Sequence, residues 1–336
     1  MLRLPRFRYL QPKSLTEAVH MMADGGPDAM FVAGGTDLYP NMKRRQQMPK
    51  IVIGLAQLEE LRTIKGNPKE GMVLGAGLTL SEVTEDQRIQ GAHPAVAKAT
   101  ELISTPLLRN MGSIGGNLLL DTRCNYYDQN YEWRKAIHFC MKKDGDICWV
   151  APSSPRCWAV QSSDCAPVMV AIGAKVKLVS SSGERLIPAA ELYNDDGIRH
   201  LNKRPDELLT EIHLPPTNGW RATYWKLRRR GSFDFPVLGV AASLHLAADG
   251  TVEDAKIILG GVGSYPIEST ASEKLIVGKK LTEETIREAA DAAYRPAKPL
   301  DNTDFAMSWR KDMARYYVAG TLRELAGLPP VLPRSN

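Results

Sequence analysis

The chain has 336 residues, 43% of them hydrophobic and 24% charged, a balance that builds buried cores and excludes intrinsic disorder and fibrous architectures. Its formal charge is only +5 and its basic runs, 43–45 and 228–230, are short and separate, so no nucleic-acid surface is expected. The longest apolar run, 166–179, is interrupted by Lys175 and Lys177 and falls short of the roughly 18 residues a membrane span needs; the Arg-rich start has no apolar core of signal-peptide length, and a cytoplasmic chain off the membrane is expected.

In chain order, Ser14-Leu15-Thr16-Glu17 is a capping box, and Leu15, Ala18, Val19, Met22 and Ala23 follow at the spacing of one helix face before Gly25-Gly26 ends the segment. A short buried strand at 29–33 runs directly into Gly34-Gly35-Thr36-Asp37, and a second strand at 50–54 completes a small α/β unit. Segments 61–65 and 72–78 suggest a hairpin, 79–85 and 94–102 helices, and 168–179 with 208–214 strands, which makes the centre mixed α/β. After Pro215-Pro216, strand-like stretches at 222–227, 239–246 and 255–260 precede helical patterns at 283–294 and 304–326. Three units are predicted: 1–55, 56–221, and a strands-then-helices domain over 222–330.

Five cysteines is an odd number in a chain without an export signal, which disfavours a disulfide framework and favours metal binding or buried thiols. Cys124, Cys140, Cys148 and Cys157 fall within 34 residues, among Tyr126, Tyr127, Tyr131, Trp133, Phe139, Trp149 and Trp158, in a segment whose pattern is neither long helix nor alternating strand. It reads as an irregular excursion held together from inside. Four thiolates converging on one point suit either a tetrahedral zinc or an iron-sulfur cluster. The gaps of fifteen, seven and eight residues match neither paired zinc knuckles nor the compact ferredoxin run, and chance buried cysteines remain a third reading. The aromatic density favours iron-sulfur, because an apolar shell limits solvent access and tunes a redox centre. Cys165 opens a buried element, where free cysteine behaves as a small hydrophobe, and is not expected to be a ligand. The six histidines show no ligand spacing; His138 is read as part of the surroundings of Cys140.

Two glycine-rich turns carry further chemistry. In the first, Phe31-Val32-Ala33-Gly34-Gly35-Thr36-Asp37-Leu38, glycine lets backbone N–H groups approach a phosphate and Thr36 adds a hydroxyl. The second is Gly112-Ser113-Ile114-Gly115-Gly116-Asn117. Neither matches the dinucleotide fingerprint or the P-loop. Each alone is equally a tight turn with left-handed glycines; together with the cysteine cluster they point to a diphosphate cofactor.

These turns, followed by Ser163-Asp164-Cys165-Ala166-Pro167 and by Gly260-Gly261-Val262 with Pro266, resemble the FAD-binding subunits of the xanthine oxidase family of molybdenum hydroxylases over nearly the whole chain. In ordinary members the Ser-Asp element follows the second glycine turn within about ten residues; here some forty intervene and hold the four clustered cysteines. This insertion, 122–161, resembles the [4Fe-4S]-binding loop of the 4-hydroxybenzoyl-CoA reductase branch of the family. The resemblance implies a mixed α/β, α+β fold, the family's PCMH-like FAD-binding fold with a C-terminal flavoprotein domain. It implies that 31–38 wrap the FAD pyrophosphate and that Ser113 with Gly115, Gly116 and Asn117 form the second phosphate-side turn. Asp164 would hold the ribose or adenine end, and Lys226 the isoalloxazine or ribityl, unless it is a solvated surface lysine. Ile103 and Leu209 would pack on the cofactor, and Cys124, Cys140, Cys148 and Cys157 would ligate the cluster. Arg228, Arg229 and Arg230 are read as surface charge or subunit contact. The implied partners are a molybdopterin-binding large subunit, a [2Fe-2S] small subunit and reduced ferredoxin, in a dimer of heterotrimers, with the substrate chemistry performed outside this chain. An outward-running aromatic or purine hydroxylase and a flavin-free zinc-binding scaffold are the alternatives.

Overall fold

The computed structural model describes residues 2–329. Its first sheet is three-stranded and parallel, in the order β1 (Arg8–Leu10), β3 (Ile51–Gly54), β2 (Ala29–Val32). The helix Leu15–Gly25 begins where the expected capping box places it, but the box is half formed: Ser14 Oγ accepts from Glu17 N, while the Glu17 carboxylate accepts from Lys13 N; the helix buries Ala18, Val19 and Met22. The edge strand β1 has no counterpart in the sequence reading: three residues, two of them exposed, leave too short a pattern to detect.

The second sheet is antiparallel, in the order β4 (Ile64–Asn67), β5 (Gly71–Gly75), β8 (Leu208–Leu214), β6 (Lys175–Ser180), β7 (Gly183–Pro188). The expected hairpin is β4–β5. The expected strand over 168–179 is a correction: Cys165–Ala171 is a helix, Gly173 turns the chain at φ +71°, and the strand starts only at Lys175. A short apolar run buried on all sides has no periodicity that separates helix from strand.

The third sheet, also antiparallel, runs β12 (Ile267–Glu268), β11 (Val252–Gly260), β10 (Leu238–Leu246), β9 (Trp220–Leu227). Alternation along β10 and β11 divides its two faces. Val240, Ala242, Leu244, Ile257 and Leu259 join the helices Thr270–Ile276, Glu283–Ala293 and Met307–Leu325 in one core. Ala241, Ile258 and Tyr224 face the other way, into the core of the second sheet with Val168 and Met169 of the buried helix. The last helix begins at Met307, three residues later than the sequence pattern suggested. Inside it Arg310 is wholly buried, its guanidinium donating to the carbonyls of Val237, Gly261 and Leu300 at 2.7–3.1 Å. Burial lowers its pKa to about 10, and the three carbonyls it satisfies fix this helix to the residue before β10, the residue after β11 and the loop at Leu300.

No helix among the described residues is long and apolar enough to cross a membrane.

Candidate functional site

The strand β2 delivers the first glycine turn to the mouth of a cavity of about 440 Å³, apolar over most of its wall, a size and lining typical of small-molecule sites. Gly34 is there because nothing larger fits: a Cβ would lie 1.6 Å from the carbonyl oxygen of Met111, so the two glycine turns touch backbone to backbone. Gly35 has φ +70°, a left-handed conformation that glycine adopts without steric cost. In the second turn Ser113 accepts from Gly116 N at 3.1 Å and caps the short helix Ile114–Leu118. A Cβ on Gly115 would meet Ala76 at 2.7 Å. Asn117 accepts from Ser163 Oγ at 2.7 Å and from Cys165 N at 3.2 Å, which ties this turn to the Ser-Asp element 46 residues on.

Of the residues expected around the cofactor, Phe31, Val32, Ala33, Gly34, Gly35, Thr36, Asp37, Leu38, Ile103, Gly112, Ser113, Gly115, Gly116, Asn117 and Leu209 line this one cavity. Ile114, Asp164 and Lys226 do not. Ile114 points into the core. Lys226 and Asp164 are a buried ion pair at 2.9 Å, with Tyr224 OH donating to the second Asp164 oxygen at 2.8 Å and Lys226 also donating to Leu102 O at 2.9 Å. Lys226 is therefore no surface lysine; its carbonyl partner is the neighbour of cavity-lining Ile103. Burial raises the Asp164 pKa against the pull of Lys226. Of the three arginines beyond Lys226, Arg229 and Arg230 are largely solvent-exposed and pair with Asp304 and Asp234, while Arg228 donates to Leu102 O at 2.9 Å.

The cavity also has walls the sequence reading missed: Asp121, His200, Lys203 and Phe235. None lies in a glycine motif or an element with a pattern of its own. Burial pushes the His200 pKa down and that of Lys203 down to about 8, the Lys203 ammonium donating to the carbonyls of Arg204 and Glu207.

The insertion is irregular, as expected, with one short helix, Tyr131–Ala136. Its ends are clamped by reciprocal backbone bonds between Arg123 and Val160 at 2.7–2.8 Å. Buried Arg134 donates to the carbonyls of Arg44 and Arg45, and Gln46 donates to Tyr127 O, fastening the loop to the first unit. His138, Phe139 and Asp144 take positive φ, so the chain folds tightly around Cys140. All four clustered cysteines are free thiols, 5–7% exposed, and all four line a second, smaller cavity with Tyr126, Tyr127, Trp149 and Val150. His138 is not in its wall. Cys165, wholly buried, is the first residue of the helix Cys165–Ala171 and lies outside it. Among the described residues no group of three or more His, Cys, Asp and Glu side chains is placed to hold a metal ion, so the four expected ligands are found as separate thiols around a cavity and the expected metal site itself is not seen. Burial pushes the Cys124 thiol up to about 12 and the Cys157 thiol up to about 11, which favours the protonated form of both.

The linings of the two cavities, which have no residue in common, are bonded to each other. Arg123, beside Cys124, forms an ion pair with Asp37 of the first glycine turn. Lys142, two residues from Cys140, bonds Asp121 of the larger cavity at 2.8 Å.

Residues 5–217 match the family model described as the FAD binding domain in molybdopterin dehydrogenase, and residues 222–325 that of the CO dehydrogenase flavoprotein C-terminal domain. The chain is 25% identical to the glyceraldehyde dehydrogenase medium chain of Sulfolobus acidocaldarius, over 96% of this chain and 99% of the relative. It is 30% identical to the FAD-binding subunit of an Escherichia coli aldehyde oxidoreductase, over 80% and 85%. Among solved structures, carbon monoxide dehydrogenase from Hydrogenophaga pseudoflava superposes with a TM-score of 0.77 at 26% identity, covering 96% of this chain and 97% of that one.

Proposed function

Because this chain belongs to the FAD-binding medium-subunit family of the xanthine oxidase-type molybdenum hydroxylases, we propose that it is the electron-transfer subunit of a three-subunit molybdenum enzyme and holds a [4Fe-4S] cluster beside FAD. The observation that carries this is the placement of four buried thiols around one cavity, in an insertion within the FAD-binding domain. The donor set fits: four soft ligands, an aromatic shell and, among the described residues, no carboxylate in the wall suit iron-sulfur ligation. The cavity is small, about 10 Å³, so a cubane of four irons would have to spread the four thiols apart on entering. Gly197 packs closely on one of them, a Cβ there lying 2.7 Å from Cys157 Sγ.

FAD would be held at its diphosphate by the backbone of 31–38 and 112–117, with Ile103 and Leu209 packing on the cofactor, while the Asp164–Lys226 pair braces the wall behind Ile103. When bound, the two groups supply one-electron entry and a carrier of one or two electrons, with substrate chemistry left to the molybdopterin subunit. The residues of this chain position both groups and exclude water from them.

We assign the complex to reductive removal of the para-hydroxyl of an aromatic acyl-CoA of the 4-hydroxybenzoyl-CoA type, with a [2Fe-2S] small subunit, a molybdopterin large subunit and reduced ferredoxin as donor, in the cytoplasm. Two electrons and two protons convert the hydroxyl to water and leave a C–H bond. The second reading, electrons leaving an oxidised substrate through FAD, is favoured by the names of the relatives, which are dehydrogenases and an oxidoreductase. The assembled complex decides between them. Given reduced ferredoxin and 4-hydroxybenzoyl-CoA it should release benzoyl-CoA; if it does not, yet reduces a dye at the expense of an aldehyde or heteroaromatic substrate, the outward reading replaces ours.

A further inference from the structure

We propose that Lys142 sets the reduction potential of the centre held by the four-cysteine loop and couples that centre's charge to the flavin cavity through Asp121. This rests on the reading of the loop as an iron-sulfur site. Lys142 is the only charged side chain in the wall of the thiol cavity among the described residues. Its side chain is 5% exposed, so solvent screens its charge little. The ammonium uses all three protons, donating to Asp121 Oδ1 at 2.8 Å, Thr122 Oγ1 at 2.7 Å and the Gly197 carbonyl at 2.6 Å. Gly197 packs on Cys157 Sγ, and Nζ stands 4.8 Å from the centre of the Tyr127 ring, which lines the same cavity.

Asp121 faces the other way as well. It lines the larger cavity, and its second oxygen accepts from Tyr127 OH at 2.9 Å. Lys142 and Asp121 thus form a buried dipole between the two linings, cation on the thiol side and anion on the flavin side. The nearby ions do not compete for this place: Arg123 is engaged by Asp37 and Asp128, and Arg134 by backbone carbonyls. One added electron makes an iron-sulfur centre more negative, so a fixed cation in its wall favours the reduced form and raises its potential.

A purely structural brace gives the same fold without this sign, which two opposite substitutions expose. Redox titration of the anaerobic full chain, monitored by the electron paramagnetic resonance of the reduced centre, gives the midpoint. Lys142→Met should make it more negative, Asp121→Asn should make it more positive, and the double variant should fall between them, with iron per chain unchanged. A wild-type midpoint in iron-replete Lys142→Met, or shifts of the same sign in both single variants, overturns the proposal. Should Lys142→Met lose its iron, Asp121→Asn alone decides: a positive shift supports the coupling, and no shift or a negative one ends it. Wild-type chain that carries FAD and no iron overturns the reading of the loop instead.

Discussion

Gly34→Ala is expected to strip the flavin from the chain. The new methyl would sit 1.6 Å from the Met111 carbonyl, and that oxygen belongs to the backbone of the second glycine turn, so no rotamer change relieves the clash. The two turns must separate, and the diphosphate cradle they form opens with them. We expect at least a hundredfold weaker FAD affinity, about 2.8 kcal/mol at 1.4 kcal/mol per decade, measured by flavin retained after gel filtration and by fluorescence titration. Gly35→Ala should be milder. Its Cβ meets the Tyr39 ring, which can swing aside, leaving mainly the cost of φ +70° in a non-glycine residue, about 1 kcal/mol. Iron should be retained in both, because the cysteine loop draws every ligand from its own 34 residues. Equal flavin loss in the two variants, or none in Gly34→Ala, would remove the close approach of the turns as the reason glycine stands there.

The cysteines should separate as sharply. Serine at 124, 140, 148 or 157 replaces a thiolate by a hydroxyl that binds iron poorly, and each variant should lose its visible iron-sulfur absorption. Cys165→Ser should keep it: that side chain lies in the core between the second and third sheets, where a buried hydroxyl costs about 1–3 kcal/mol of stability. Its signature is a lower Tm with the iron intact. Loss of iron in Cys165→Ser together with retention in one of the other four would mean that the ligand set is misassigned.

These outcomes bear on features with very different visibility in the sequence. The N-cap at Ser14, the strand emptying into Gly34-Gly35 and the four-cysteine cluster are local patterns whose chemistry needs adjacent residue types, and they could be read directly. The cavity wall contributed by Asp121, His200, Lys203 and Phe235 could not, because each arrives from a separate loop and gains its role only from what folds beside it. The Lys226–Asp164 pair shows the same limit: the resemblance sends both side chains to the cofactor, and that they bond each other appears only where the third sheet closes over the buried helix. Residues 168–171, in the helix Cys165–Ala171, read as strand because complete burial erases the periodicity that distinguishes the two structures. Lys142 is one more lysine in a polar stretch, and only its bond to Asp121 gives its charge a direction.

The central claim is that one polypeptide holds both a flavin and an iron-sulfur cluster. Anaerobic purification followed by metal, acid-labile sulfide and flavin analysis tests it most directly. The account predicts about four iron, about four sulfide and about one FAD per chain, with visible absorption that dithionite bleaches. Stoichiometric zinc without iron, or FAD in a chain whose four clustered thiols carry no metal at all, would contradict it.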